Sequence, residues 1–342
     1  MKLFTFLIVG FYCAQSLAQS SLPKVYNCLQ INQDITIDGQ AIESAWEIAN
    51  WSEKFIDIEG EKSVKPYYST KFKMLWDTSN LYLFAVLEEE HLWATLKNHD
   101  DIIYRDNDFE VFIDPDSDNH NYMEIEVNLF NTILDLMLIK PYRNGGPLIM
   151  DWTANGMQSS ISTYGTLNNP NDLDSLWCIE MALPLKVFGN VPAVENSWRI
   201  NFSRVQYDME IVSNEYEKVK NIAGVQLPEH NWVWSPQGII NMHYPENWGY
   251  LFFNDSVGSK TAKRPSDAAI RIALHELYYK QTHYLEKNGV PKEDIATEIT
   301  LDSKLYKIEL ILKEDDFEIC ATDTEWTWHI QRDSKIWKTS NQ

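Results

Sequence analysis

Asp114-x-Asp116-x-Asp118, followed by Asn119 and Asn121, places side-chain oxygens at alternate positions of one short segment. Hard divalent cations are held by such oxygen sets, and calcium is the ion this spacing suits. The segment is not an EF-hand, because Asn119 stands at the sixth position where the turn needs Gly, and Ile125 at the twelfth where a bidentate Glu belongs. The alternative is an Asx-rich turn capped by its own side chains. Just downstream, Glu124 and Glu126 alternate along a predicted strand and so share a face. Two carboxyls placed in this way can do acid-base work on glycosides; more commonly, neighbouring strand carboxyls face solvent or a cation. Gly-rich phosphate loops, G-x-S-x-G and H-E-x-x-H are absent from the chain.

The elements that carry these residues read as short strands. Lys71–Trp76 and Leu81–Val86 flank Asp77-Thr78-Ser79-Asn80, which is a hairpin pattern, and Phe109–Ile113 and Tyr122–Asn128 flank the acidic loop in the same manner. Further alternating runs lie at Thr132–Ile139, Ser159–Tyr164, Trp177–Leu183, Trp198–Tyr207 and Gly249–Phe253, with helical periodicity confined to a turn or two around Ile42–Ala49. Residues 30–254 therefore predict a mainly β unit, an antiparallel β-sandwich or jelly roll. In it Trp76, Trp177, Trp198 and Trp248 sit inside alternating runs as core residues. Residues 255–265 read as a polar linker, and residues 266–342 as a small C-terminal α+β appendage. Its helix runs from Ala268 to Lys287 with Ile270, Leu274, Leu277 and Tyr278 on one face, and an antiparallel meander follows it. So small a unit is expected to lean on the main one.

With 44% hydrophobic and 23% charged residues, the 342-residue chain is too apolar for disorder. Fifty acidic against 29 basic side chains give a formal charge of -21 with no basic stripe, which argues against nucleic acid and anionic lipid as partners. Met1-Lys2, an apolar run from Leu3 to Ala14, and Ser16-Leu17-Ala18 before Gln19 read as a secretory signal peptide over residues 1–18. The run is shorter than a membrane span needs, so a soluble periplasmic or extracellular protein without a membrane anchor is expected after cleavage. Cleavage removes Cys13 and leaves Cys28, Cys178 and Cys320, an odd number at spacings that suit no zinc site; buried or unpaired thiols are the expectation.

Thirteen Trp and 17 Tyr exceed what a core of this size needs. Trp76-Asp77-Thr78-Ser79-Asn80-Leu81-Tyr82-Leu83, then Asp106-Asn107-Asp108-Phe109-Glu110-Val111-Phe112-Ile113-Asp114, resembles the family 9 carbohydrate-binding modules and their broader relatives among exported bacterial proteins. Ile37-Asp38-Gly39 with Trp46, Trp198-Arg199-Ile200-Asn201-Phe202, and Trp232-Val233-Trp234-Ser235 to Trp248-Gly249 fit the same pattern. The resemblance covers about residues 34–253. It implies a DOMON-like β-sandwich that binds sugars, often with structural calcium, and has no chemistry of its own. Pyranose rings present C–H faces that pack on aromatic planes, while their hydroxyls require carboxylates and amides at the rim. Carried over by position, one clamp ring falls on Tyr104, and the second near Met242 or His243, where no Trp stands; Trp232, Trp234 or Tyr244 are the substitutes. The polar partners fall on Glu110 and Asn128. Some relatives of this sandwich hold haem through Met and His, for which Met242-His243 or His120 and Met123 are the candidates.

The combined reading is exported, non-catalytic carbohydrate binding in support of polysaccharide degradation, with calcium at Asp114, Asp116 and Asp118 and a glycoside hydrolase as a possible partner. The alternatives are a glycoside hydrolase working through carboxylates such as Glu110 and Glu126, and a surface module that binds no sugar.

Overall fold

Alternation along Leu81–Leu87 has a consequence on each face. Leu81, Leu83, Ala85 and Leu87 enter the main core, while Tyr82 and Phe84 pack on the other side against Trp46 and Ala45. Both faces of the strand are thus buried, and the 13-stranded sheet is covered in this way over much of its length. The computed structural model describes residues 22–189, 192–193, 196–255, 263–313 and 316–342. Residues 1–18, expected to be a signal peptide, with Cys13, and residues 256–262 of the expected linker lie outside the described residues.

The strands are β1 (Val25–Gln30), β2 (Ile56–Asp57), β3 (Thr70–Trp76), β4 (Asn80–Glu88), β5 (Asp108–Asp114), β6 (Tyr122–Asn128), β7 (Ile133–Leu138) and β8 (Leu148–Ile149). They continue with β9 (Gln158–Tyr164), β10 (Leu176–Pro184), β11 (Ser197–Gln206), β12 (Met209–Val212), β13 (Glu215–Lys218), β14 (His230–Val233) and β15 (Gly249–Asn254). The main sheet runs β8-β7-β6-β5-β11-β15-β1-β3-β4-β10-β9, with β14 and β2 branching from β11. It curls so that Phe109, Val111 and Ile113 of β5 share one core with Phe72 and Met74 of β3 and Trp177, Ile179 and Met181 of β10. The sheet is mixed rather than wholly antiparallel, because β1 pairs parallel with both β15 and β3. Alternation records which side chains are buried and carries no strand direction, so this seam was invisible in the pattern.

The motifs behind the family resemblance turn out to be structural braces. Glu180 of β10 accepts from the Asp38 and Gly39 amides at 3.0 Å each and from Trp46 Nε1 at 3.1 Å, which ties the amino-terminal segment across the sheet. Asp77 closes the β3–β4 hairpin by accepting from the Ser79 and Asn80 amides. Trp76, Trp177, Trp198 and Trp248 are buried, as their positions in the sequence indicated. Cys28, Cys178 and Cys320 are buried and unpaired.

The carboxy-terminal residues form helix α1 (Ala268–Asn288) and an antiparallel sheet of β16 (Glu298–Leu301), β17 (Lys304–Lys313), β18 (Asp316–Thr322), β19 (Trp326–Gln331) and β20 (Ile336–Ser340). Gly289 ends the helix in the left-handed conformation at φ 74°. Ile270, Leu274 and Tyr278 pack on Phe317, Ile319 and Trp328. This unit rests on the acidic loop: Asn119 Nδ2 donates to the Ser334 carbonyl at 2.9 Å, Arg271 donates to the Ser117 carbonyl at 3.0 Å, and the Ile336 amide donates to the Asp118 carbonyl at 3.0 Å. No described helix is long and apolar enough to cross a membrane.

At the start of β15, a Cβ on Gly249 would collide with the Trp234 ring. Gly249→Ala should therefore lower the unfolding free energy by about 3 kcal/mol, as overpacking does in tight cores. Urea titration checks this, and a loss below ~1 kcal/mol would mean the ring moves aside freely.

Candidate functional site

Side chains on the outer face of β5, β6 and β7 cannot reach the main core, and what they form instead is set by register. Glu110 stands opposite Glu126, which stands opposite Leu134; in the next row Phe112 stands opposite Glu124, and Glu124 opposite Leu136. These six residues floor a cavity of about 430 Å³. Its walls are Ile58, Ile102, Val205, Leu148, Met150 and Ile240, with Tyr104, Tyr142, Glu229, Asn231, Asn241, Met242 and His243 completing the lining. The volume falls within the range of small-molecule sites.

Two rings at this cavity remain open to solvent. Tyr104 is 42% exposed and Tyr142 46%. Tyr104 is held by its backbone: its amide donates to Glu126 Oε2 at 2.8 Å, and its carbonyl accepts from Tyr207 Oη at 3.0 Å. Tyr142 follows Pro141 in a single 3-10 turn and stands edge-on to His243, with centroids 4.5 Å apart. Tyr142 was overlooked in the sequence. The signal available was an aromatic residue in the turn-forming segment Pro141-Tyr142-Arg143-Asn144-Gly145-Gly146, where burial is not expected.

The floor is strongly perturbed electrostatically. Burial, followed by the charge of Glu110, pushes Glu124 up to about 8. Burial and then Glu126 raise Glu110, and burial and then Glu124 raise Glu126. Asp108, behind them on β5, is raised by burial and then by Glu110 and Glu126. His243 is lowered to about 4 by burial and then by Arg143, and so is neutral at neutral pH. Its Nδ1 lies 3.1 Å from Tyr122 Oη. Arg143 points elsewhere, donating to the His243 carbonyl at 2.9 Å and to Glu246. The surface is therefore a set of protonatable carboxyls beside two tyrosines, able to exchange hydrogen bonds with hydroxyls and to pack against a flat apolar face.

Of the residues singled out from the sequence, Tyr104, Glu110, Met242 and His243 meet at this cavity. Asn128 does not. It is 0% exposed, and its amide is fully engaged, donating to the Leu96 carbonyl and Asp106 while accepting from the Phe130 and Thr132 amides. Trp232 and Trp234, expected as substitute clamp rings, are 2% and 0% exposed and belong to the main core. The Trp234 indole N–H is taken by Glu53, and Trp232 is wedged between Tyr67 and Arg204. Trp232 on β14 and Trp234 just past its end are two apart and share the face that packs on the main core, while Val233 between them faces the other side. Tyr244 is turned toward Arg143 and Tyr279 of α1.

In the acidic loop, carboxylate oxygens of Asp114, Asp116 and Asp118 lie within 4.8 Å of one another. Asp114 also accepts from the Ser117 and Asn119 amides, and Asp118 accepts from the His120 amide and pairs with Lys335 at 3.1 Å. The Asx-turn reading and an all-oxygen ligand set thus coexist in one loop. Burial, together with mutual repulsion, raises Asp114 and Asp116. A hard cation would relieve that repulsion.

Comparison with known proteins places this geometry in context. A family model described as carbohydrate family 9 binding domain-like matches residues 37–210, just over half of the chain. Among solved structures, a candidate carbohydrate-binding protein from Bacteroides uniformis ATCC 8492 aligns with TM-score 0.50 and 17% identity, covering 68% of this chain and 100% of its own. A family 9 carbohydrate-binding module from Caldicellulosiruptor kristjanssonii aligns in its cellotriose complex with TM-score 0.44 and 14% identity, over 71% of this chain and 100% of its own. Its glucose complex gives 0.45 and 14%, over 70% and 100%. No curated protein matches the chain.

The raised floor has a thermodynamic consequence. Glu124 ionises near 4.5 in an unfolded chain and near 8 in the folded one, so the stability gained by keeping it protonated is whole below pH 4.5 and is lost as pH rises toward 8. Gln cannot ionise. Glu124→Gln should therefore melt higher than the parent by at least ~3 °C at pH 8, with a smaller difference at about pH 5. Thermal melts across that interval check it, and a pH-independent difference would sink the assignment.

Proposed function

The chain belongs to the carbohydrate family 9 binding domain-like family, and on that premise we propose that the cavity over β5, β6 and β7 holds a saccharide. The observation that carries this is the pairing of two solvent-open tyrosines with a buried carboxyl floor around one hollow of ligand size. Tyr104 and Tyr142 would pack on the C–H faces of a pyranose. Glu110, Glu124 and Glu126 would exchange hydrogen bonds with its hydroxyls, and Phe112, Leu134 and Leu136 would line the apolar side. The role is binding, in an exported protein that supports polysaccharide breakdown by a partner glycoside hydrolase. The leader expected from the sequence, the acidic charge and the sugar-sized hollow together support that setting.

A second reading has one observation in its favour. Glu124, raised to about 8, beside Glu126 is the kind of arrangement in which one carboxyl stays protonated to act as an acid. Reducing-sugar release from a glycan panel, lost in Glu124→Gln, would support hydrolysis; binding without release supports the module.

For the loop Asp114, Asp116 and Asp118, we propose calcium as a structural ion. The donors are all hard oxygens, which fits. Asn119 Nδ2 donates to the Ser334 carbonyl, which fixes that side chain at the edge of the loop. The ion would neutralise the loop on which the carboxy-terminal unit rests.

Calorimetry against plant and algal oligosaccharides tests the sugar site. Tyr104→Ala and Tyr142→Ala should each weaken binding at least ~10-fold, about 1.4 kcal/mol, without lowering the melting temperature. Trp232→Ala, by contrast, should destabilise the fold by ~3 kcal/mol or more. Unchanged affinity in either tyrosine variant would remove that ring from the site. For the loop, chelation should lower the melting temperature by ~3 °C or more and added calcium should restore it, with no such response in Asp116→Asn; a melt indifferent to calcium would leave the turn as a purely Asx-capped structure.

A further inference from the structure

Resting on the sugar-binding reading of the cavity, we infer that its saccharide carries a basic amine, as in a hexosamine oligomer, and that uronate or sulfated glycans are turned away. Glu110, Glu124, Glu126 and Glu229 all line the cavity, and among the described lining residues none is Lys or Arg. Of the cations next to lining residues in the chain, Arg143 has its guanidinium occupied by the His243 carbonyl and by Glu246, which it also meets as an ion pair at 3.0 Å. Arg204 is paired with Glu89, and Arg105 is exposed and does not line the cavity. His243 is neutral at the pH of binding. Asp108 adds a separate observation. Fully buried beneath the floor, it accepts from the Val205 amide through one oxygen, while the other has no hydrogen-bond partner among the described residues. Oxygens of Asp108, Glu110 and Glu126 lie within 4.8 Å of one another. A buried acceptor left over in this way is open to a donor from outside the chain, either a water or a ligand group.

An ammonium group supplies three donors and the missing positive charge together. Arriving in the hollow, it would let these carboxyls ionise against a countercharge instead of against one another. The ring faces of Tyr104 and Tyr142 would add cation–π attraction. An anionic sugar would meet no basic side chain in the lining, and any floor carboxyl that ionised would repel it, so it forgoes the countercharge that the amine gains. The chain's formal charge of -21 acts in the same direction at longer range.

The experiment is isothermal titration of the full chain at pH 7 with four probes: a β-1,4-linked glucosamine trimer, its N-acetylated counterpart, cellotriose and a galacturonate trimer. The glucosamine trimer should bind at least ~10-fold more tightly than either neutral trimer, with the galacturonate trimer weakest. In Glu126→Gln and Glu124→Gln the ratio of amine to neutral affinity should fall toward one, with melting curves confirming that both variants fold. Equal affinity for amine and neutral trimers overturns the inference and leaves the sugar site standing. Binding of a neutral trimer only when calcium is added also overturns it, since a metal would then be the cation. Absence of binding by all four overturns the inference together with the sugar site.

Discussion

The cavity depends on the cross-strand register of β5, β6 and β7. Because side chains alternate along a strand, the alignment that sets Glu110 opposite Glu126 and Phe112 opposite Glu124 also sends Phe109, Val111, Ile125 and Val127 into the main core. A slip of one residue would exchange the two sets, driving carboxyls into the core and aromatic and aliphatic rows into the hollow. The energetic preference for burying the apolar face thus aligns the polar face as a by-product. The carboxyl floor is held in place by the hydrophobic effect acting on its reverse side.

Strands alone would leave the rim unsupported, and the rim is built from the acidic motif before β5. Asp106 accepts from the Thr95 and Leu96 amides and from Thr95 Oγ1, all at 2.7–2.9 Å, and Asn128 binds it from β6. Asn107 bridges the Tyr207 amide and Glu89, which in turn holds Arg204 at 2.8 Å in a pair that is almost wholly buried. Such a pair contributes little net stability relative to apolar packing, but losing one partner leaves a buried charge and costs about 3–5 kcal/mol. Conformational definition is what it offers here: the 3-10 turn bearing Tyr104 is anchored at both ends, so an exposed ring stands on a rigid base.

The acidic loop between β5 and β6 belongs to another task as well. At its far end Asn119 and the Ser117 and Asp118 carbonyls receive α1 and the segment before β20, while Asn144, in the turn bearing Tyr142, donates to Tyr278 of α1 at 2.8 Å. Glu246, which binds Arg143 beneath His243, is also hydrogen-bonded by Tyr279 of α1. The helix therefore touches the supports of Tyr142 and His243 rather than the cavity itself. Packing of the carboxy-terminal unit and the shape of the rim are joined through a few buried polar groups, where geometry is most sensitive to loss of a partner.

Much of this was legible in the chain itself. Periodicity of two reported the strands, the faces of Glu110, Glu124 and Glu126, and the burial of Trp76, Trp177, Trp198 and Trp248, because burial of alternate residues is a local property of a pleated strand. Spacing of Ile270, Leu274 and Tyr278 reported the helix for the same reason. Strand direction at β1, the burial of Trp232, Trp234 and Asn128, and the placing of Tyr142 beside Tyr104 were decided only by tertiary structure. Whether a ring or an amide in a turn, a short strand or a strand end meets solvent, a hollow or another strand depends on which distant segment lies across it. Tyr104 and Tyr142 are separated by three strands, β5, β6 and β7, in the chain and line one cavity only because the sheet brings their turns to the same edge.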